Sequence, residues 1–144
     1  MLKVKDMTTE KMRVLLLRVG FGHLGCTRDD HPYVVPMHYA YDGQDLYFFT
    51  TEGTKTEFIA ANSEVCFQVE EIADSSNWQS VMVIGAARKI TKPHEVEQAM
   101  QLITVRNETL TPAINKTDIG AWHRQNHIAI YRVRTSAMYG RQTG

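Results

Sequence analysis

The chain has only two cysteines, Cys26 and Cys66, and neither belongs to a CxxC pair. Two thiols so far apart exclude a secreted disulfide framework. Both read as reduced residues of the interior. A charge excess of one sign is also missing, since 16 Lys and Arg balance 16 Asp and Glu. No basic field points to nucleic acid, and no charge block marks a tail. Long apolar runs are absent: no window approaches the roughly 20 apolar residues of a membrane span. The opening MLKVKDMTTEKM has no continuous apolar run and is not expected to act as a signal peptide. These absences predict a cytoplasmic protein with neither membrane nor nucleic-acid partners. There is no internal repeat and no low-complexity segment. HExxH, GxSxG and the GxxxxGK spacing are all missing, which removes the zinc-protease, serine-hydrolase and P-loop classes.

What is present is 144 residues, 43% of them hydrophobic, enough for one domain over 1–144 with its own core. A short helix is predicted over 8–18, because Met12, Leu15, Leu16 and Val19 recur at helical spacing and Thr8 or Thr9 can cap it. Gly20 and Gly22 break it. Strands follow at 21–27, 33–41 and 46–51, separated by a turn at 28–31 and the hairpin signal Asp42-Gly43. Residues 53–61 read as a short helix with Thr54 and Glu57 as a capping box. A strand at 65–70, a polar loop at 73–77 and a long strand at 78–90 come next. Pro93 opens a helix to about 106, with Val96, Met100 and Ile103 on its buried face. Residues 107–120 read as a surface loop, 128–134 as the last strand and the rest as a tail. Mostly sequential short strands favour a mainly β, antiparallel barrel with flanking helices over a parallel α/β sheet.

The segment Thr50-Thr51-Glu52-Gly53-Thr54-Lys55 carries the most chemical information. It follows a strand and opens a helix, where unpaired N–H groups and the positive dipole end hold phosphate. Thr50, Thr51 and Thr54 offer hydroxyl donors, and Lys55 adds a full charge. The bland alternative is a capped helix with a solvated lysine. Pro36 lies within a strand, so it implies a sheet edge or a bulge. A free edge can turn backbone groups toward a planar ligand, but proline also serves simply to protect an edge. His38 sits in that strand as a ligand-orienting or a structural histidine. His31 and His38, and His123 and His127, lack the partners of a metal site, and none is predicted. Arg132 and Arg134 share one side of the last strand, toward solvent or a partner. Trp78 opens its strand beside the polar loop, as a core plug or interface anchor.

Taken together, these residues resemble the pyridoxamine 5′-phosphate oxidase-like FMN-binding split barrels, closest to the branch with the nitroimidazole-resistance proteins. The resemblance runs over about residues 20–91, through GHLGCTRDDHPYVVPMHYAYDGQDLYFFTTEGTKTEFIAANSEVCFQVEE and WQSVMVIGAARKI, and more loosely through the final strand with Gly140 and Arg141. No single motif is diagnostic. The order of elements, the VVP strand, the YFFT strand and the Gly-Thr-Lys helix start form the matching set. The resemblance implies a six-stranded antiparallel split barrel in a homodimer, with two FMN sites at the subunit interface. It places Val35, Pro36, Met37 and His38 along the flavin ring, and Phe49 and Thr50 beside the ring and ribityl chain. It assigns Gly53, Thr54 and Lys55 to the phosphate. Trp78, Gln79, Ser80 and Val81 would approach from the partner subunit. Gln68 and Arg141 are further candidates for cofactor contact.

The chain departs from true pyridoxamine-phosphate oxidases. It is short, and their C-terminal substrate-phosphate arginine pattern has no match, so the resemblance does not extend to vitamin B6 oxidation. It implies instead an FMN-dependent oxidoreductase acting on a small molecule, of the nitroimidazole-reductase type. Hydride would pass from an external donor to the flavin and then to substrate, with His38 orienting substrate or flavin. The alternative is a non-catalytic dimeric barrel that binds haem or another flavin-like cofactor.

Overall fold

The computed structural model describes residues 2–106 and 128–144. The expected 107–120 loop, His123 and His127 lie outside the described residues. A three-residue strand, β1 (Val4–Asp6), precedes the first helix, α1 (Thr9–Val19). The Thr8 hydroxyl accepts the Lys11 N–H at 3.2 Å and starts α1, and Gly20 ends it in the left-handed region at φ 77°. Eleven residues are marginal as a helix in water. Tertiary packing holds α1: Met12, Leu15 and Leu16 are buried, each worth on the order of 2 kcal/mol.

The hairpin of β2 (Phe21–Arg28) and β3 (His31–His38) turns on Asp29 and Asp30, both at positive φ, 49° and 64°. That geometry matches the twist of a two-residue hairpin. The chain continues as β4 (Ala40–Tyr41), β5 (Leu46–Thr51), α2 (Thr54–Ala61), β6 (Glu64–Asp74), β7 (Asn77–Lys89), α3 (Pro93–Arg106) and β8 (Ile128–Thr143). All strand pairs are antiparallel, in the order β3-β2-β6-β7-β8-β5-β4, with β1 added against β8. The predicted mainly β class with flanking helices stands, with eight strands among the described residues where six were expected.

The main core fills the barrel. Leu24, Phe48, Phe67, Val81, Val83 and Val133 are fully buried there beneath α1. A second cluster packs Ala99, Met100 and Ile103 of α3 on Ala40, Ile90 and Ile130. Val96 only borders it.

Several sequence boundaries move. The single strand expected over 33–41 is two, because the chain leaves one end of the sheet after His38 and joins the other end at Ala40. Tyr39 is the pivot. Its N–H donates to the Gly20 carbonyl at 3.0 Å, and its buried hydroxyl donates to the Leu16 carbonyl at 2.7 Å. Burial holds the phenol well above the usual tyrosine range.

The expected tail is the second half of β8. Its inward positions include Gly140 and Gln142, and a bulge near Thr135 shifts the alternation, so no apolar pattern marks it. The polar loop shrinks to a turn at Ser75 and Ser76. All three residues of β1 are exposed, which leaves it no sequence signal. The capping pair at α2 is also different. Gly53 is the N-cap, so Thr56, not Glu57, is three residues on; its hydroxyl accepts the Gly53 N–H at 2.8 Å.

Tyr39→Phe removes the donor from a buried carbonyl. It lowers stability by about 1–3 kcal/mol in urea unfolding; an unchanged midpoint and slope contradict the pivot.

Candidate functional site

Among the described strands β3 pairs only with β2, so it is a sheet edge. Pro36 lies within it, opposite His23, where a missing N–H leaves the fewest ladder bonds unmade. Across the split stands β5. A cavity of about 350 Å³ lies along this opening and ends at the start of α2. Val35, Pro36, Met37 and His38 line it from β3, Phe49 and Thr50 from β5, and Lys55 from α2. The structure thus brings together seven of the residues singled out in the sequence.

The electrostatics of the α2 end follow from a competition for Lys55. Glu52, the nearest carboxylate on the N-terminal side, pairs instead with Lys89 at 3.2 Å, and Glu57, two residues beyond Lys55, forms no ion pair with it. Among the described residues no carboxylate comes within ion-pair distance of Lys55. Its ammonium therefore adds to the positive end of α2, whose first-turn N–H groups have no acceptor within the helix. Gly53 and Thr54 are exposed beside it, and a Cβ at Gly53 would meet nothing within 4 Å. Thr50 is buried, and its hydroxyl donates to the Thr51 carbonyl at 3.2 Å. Burial and the neighbouring Cys66 push the Cys26 thiol up, with Lys55 opposing them. At 3% exposure Cys26 is a core residue, as the sequence suggested.

The remaining expected residues lie elsewhere. Gln68 donates from its side chain to the Ser80 hydroxyl at 3.1 Å, on the outer face of β6 and β7. Val81 is fully buried in the barrel core, so its side chain does not face outward. The Gln79 amide donates to Gln142 at 3.2 Å. Trp78 is half-buried and lines a separate hollow of about 250 Å³ with Glu71, Asn77 and Thr143. Arg141 is exposed and pairs with Asp6 at 3.0 Å. Arg132 does not turn freely to solvent: it lies 3.7 Å from Asp45. It lines a larger hollow, about 480 Å³, under α3. That hollow contains none of the expected site residues, and its Asp42 and Glu95 outnumber its one cation. The smaller cavity is the better candidate because a free cation, a helix start and a sheet edge converge there. Among the described residues no three of His, Cys, Asp and Glu gather as metal ligands.

Phe21 lines the cavity and was missed in the sequence. A signal was available. A two-residue turn at Asp29-Asp30 pairs Arg28 with His31, and counting outward from it sets Phe21 opposite His38.

The donor set fits a phosphorylated planar ligand: an edge strand with aromatic and apolar walls for a ring, and a cationic helix start for a phosphate. Residues 8–142 match the family Pyridoxamine 5′-phosphate oxidase. An uncharacterized protein of Rhizobium meliloti (strain 1021) is 34% identical over 87 residues, which span 60% of this chain and 58% of that relative. Among solved structures, a FAD-binding protein from Mesorhizobium loti is 26% identical, with a TM-score of 0.81 over 100% of this chain and 99% of that one. A candidate 5-nitroimidazole antibiotic resistance protein from Bacteroides thetaiotaomicron shares the fold at 21% identity, with a TM-score of 0.79 over 100% and 90% of the two chains. A FAD binding protein from Mycobacterium smegmatis does so at 21% identity, with a TM-score of 0.72 over 96% and 97%. The chain belongs to the pyridoxamine 5′-phosphate oxidase family.

Proposed function

We propose that this protein binds FMN in the cavity between β3, β5 and α2 and acts as an FMN-dependent oxidoreductase on a small molecule. The observation that carries this reading is Lys55, unpaired with any carboxylate among the described residues and set at the start of α2 at the end of a cavity walled by a sheet edge. Lys55 and the first turn of α2 hold the phosphate. The edge of β3 offers backbone groups to the ring, while Val35, Met37 and Phe49 exclude water from it. His38 is exposed and, among the described residues, shares the cavity wall with Lys55 as its polar side chains from β3 and α2, so it orients the bound ring or substrate. A bound flavin supplies the electron and hydride chemistry itself. One observation favours FAD as a second occupant: exposed Gly53 and Thr54 leave the phosphate end open to solvent. The FAD-binding neighbours carry the same suggestion.

The protein acts as a homodimer in this reading. Residues paired across the sheet share a face. His23, Gln68, Met82 and Tyr139 form one such row, on the face opposite the core. The same face carries Phe21, Val34, Ile72 and Tyr139, large hydrophobics 43–65% exposed. A patch of that kind on a sheet face marks an interaction surface. A second copy suits it, because Phe21, Pro36 and His38 belong to both this face and the cavity. Trp78 and Ser80 alternate onto the same face, so of the four residues expected from the partner these two are the ones that reach it.

Lys55→Ala weakens FMN binding by about 1–3 kcal/mol, the scale of one charge-assisted contact. Fluorescence titration reads this, and equal affinity in variant and parent removes the phosphate role. FAD titrated alongside FMN decides between the two flavins. Val34→Asp and Tyr139→Asp each bury a charge in the proposed interface and shift the protein toward monomer in sedimentation velocity. A parent chain that is monomeric while binding FMN tightly contradicts the shared site.

A further inference from the structure

We propose that Phe21 is an aromatic wall of the cavity on the β2 side, opposite the contribution of Phe49 from β5, and that it sets the orientation of a flat ring bound there. This inference rests on the flavin reading. Exposure alone does not single Phe21 out, since scattered apolar residues on a surface are normal. Its fixed geometry does. The ring meets His38 edge-on at 5.0 Å between centroids and 69° between planes, and meets His23 at 6.1 Å and 74°. Such edge-to-face contacts are the favoured arrangement of aromatic pairs.

The backbone is held on both sides. Before Phe21, Gly20 sits in the left-handed region at φ 77°, and its carbonyl accepts the Tyr39 N–H. After it, Gly22 is pressed on β6 so closely that a Cβ would fall 2.3 Å from the Gln68 carbonyl oxygen. The start of β2 cannot slide, and the ring is oriented without being buried. Val34 and Tyr139 are also exposed on this face, but they do not line the cavity. Phe21 is the one residue that β2 contributes to it. An aromatic side chain held rigid at the mouth of a pocket gains contact area at little entropic cost, which suits a planar heteroaromatic ligand.

The test titrates two probes into the full chain: FMN, and lumiflavin, which has the flavin ring with a methyl group in place of its phosphorylated chain. Phe21→Leu loses about two- to tenfold affinity for both probes, the range of one aromatic contact. Phe21→Tyr restores parental affinity for both. Should Phe21→Leu not fold, Phe21→Met carries the same expectation. Val14→Ala, an exposed apolar position on α1, binds both probes like the parent. Parental affinity of Phe21→Leu for both probes overturns the assignment. So does a loss confined to FMN, because that loss does not come from the ring. A parent chain that binds neither probe overturns the flavin reading itself and this inference with it.

Discussion

The fold turns on Tyr39. Its buried hydroxyl and its backbone N–H fasten the point where the chain leaves β3 at one end of the sheet and enters β4 at the other. The sheet is therefore closed by covalent chain rather than by a ladder between β3 and β5. That leaves β3 a free edge, and it leaves a gap. A continuous ladder would fill this space with paired backbone. A loose crossover would let the edge drift or pair with another chain. Anchoring the crossover to the end of α1 keeps the gap open and its two walls in register. Buried Leu15 and Leu16 tie α1 in turn to the barrel core.

The charge arrangement follows the same logic. The run Glu52-Gly53-Thr54-Lys55 has one acid and one base, and in isolation they would neutralise one another. The strand geometry separates them. Glu52 reaches Lys89 at the end of β7, and Lys55 turns toward the cavity. The exposed Glu52–Lys89 pair contributes little stability of its own, since exposed ion pairs are worth about 0–1 kcal/mol. Its effect is positional. It occupies the Glu52 carboxylate and leaves a cation and a helix dipole pointing the same way.

Much of this was legible in the sequence, and what was hidden has physical causes. β5 and α3 announce themselves, one by dense aromatics between turn signals and the other by Pro93 and helical spacing. Pro36 marks an edge in both sequence and structure, and of the Gly-Thr-Lys run Lys55 is the residue that lines the cavity. The break at Tyr39 was invisible because Tyr33, Val35, Met37, Tyr39 and Tyr41 keep strand alternation straight through it; only the tertiary hydrogen bonds divide the run. The second half of β8 was hidden because Gly140 and Gln142 occupy inward positions where apolar residues are expected. The resemblance groups Gln79 and Val81 with Trp78 and Ser80 as approaching from a partner, whereas alternation along one strand sends the two pairs of side chains to opposite faces. Phe21 was missed because its significance lies in what stands across the hairpin, not in its own neighbours.

The account rests on a flavin held in the gap between β3 and β5. The most direct measurement is the absorbance spectrum and mass of the chromophore that copurifies with the full chain, with FMN added back to the stripped protein. The account predicts flavin absorption bands, the mass of FMN, and a rise in melting temperature with added FMN, because a ligand that binds only the native state must stabilise it. A haem spectrum, or a colourless protein whose melting temperature is unmoved by saturating FMN, contradicts it.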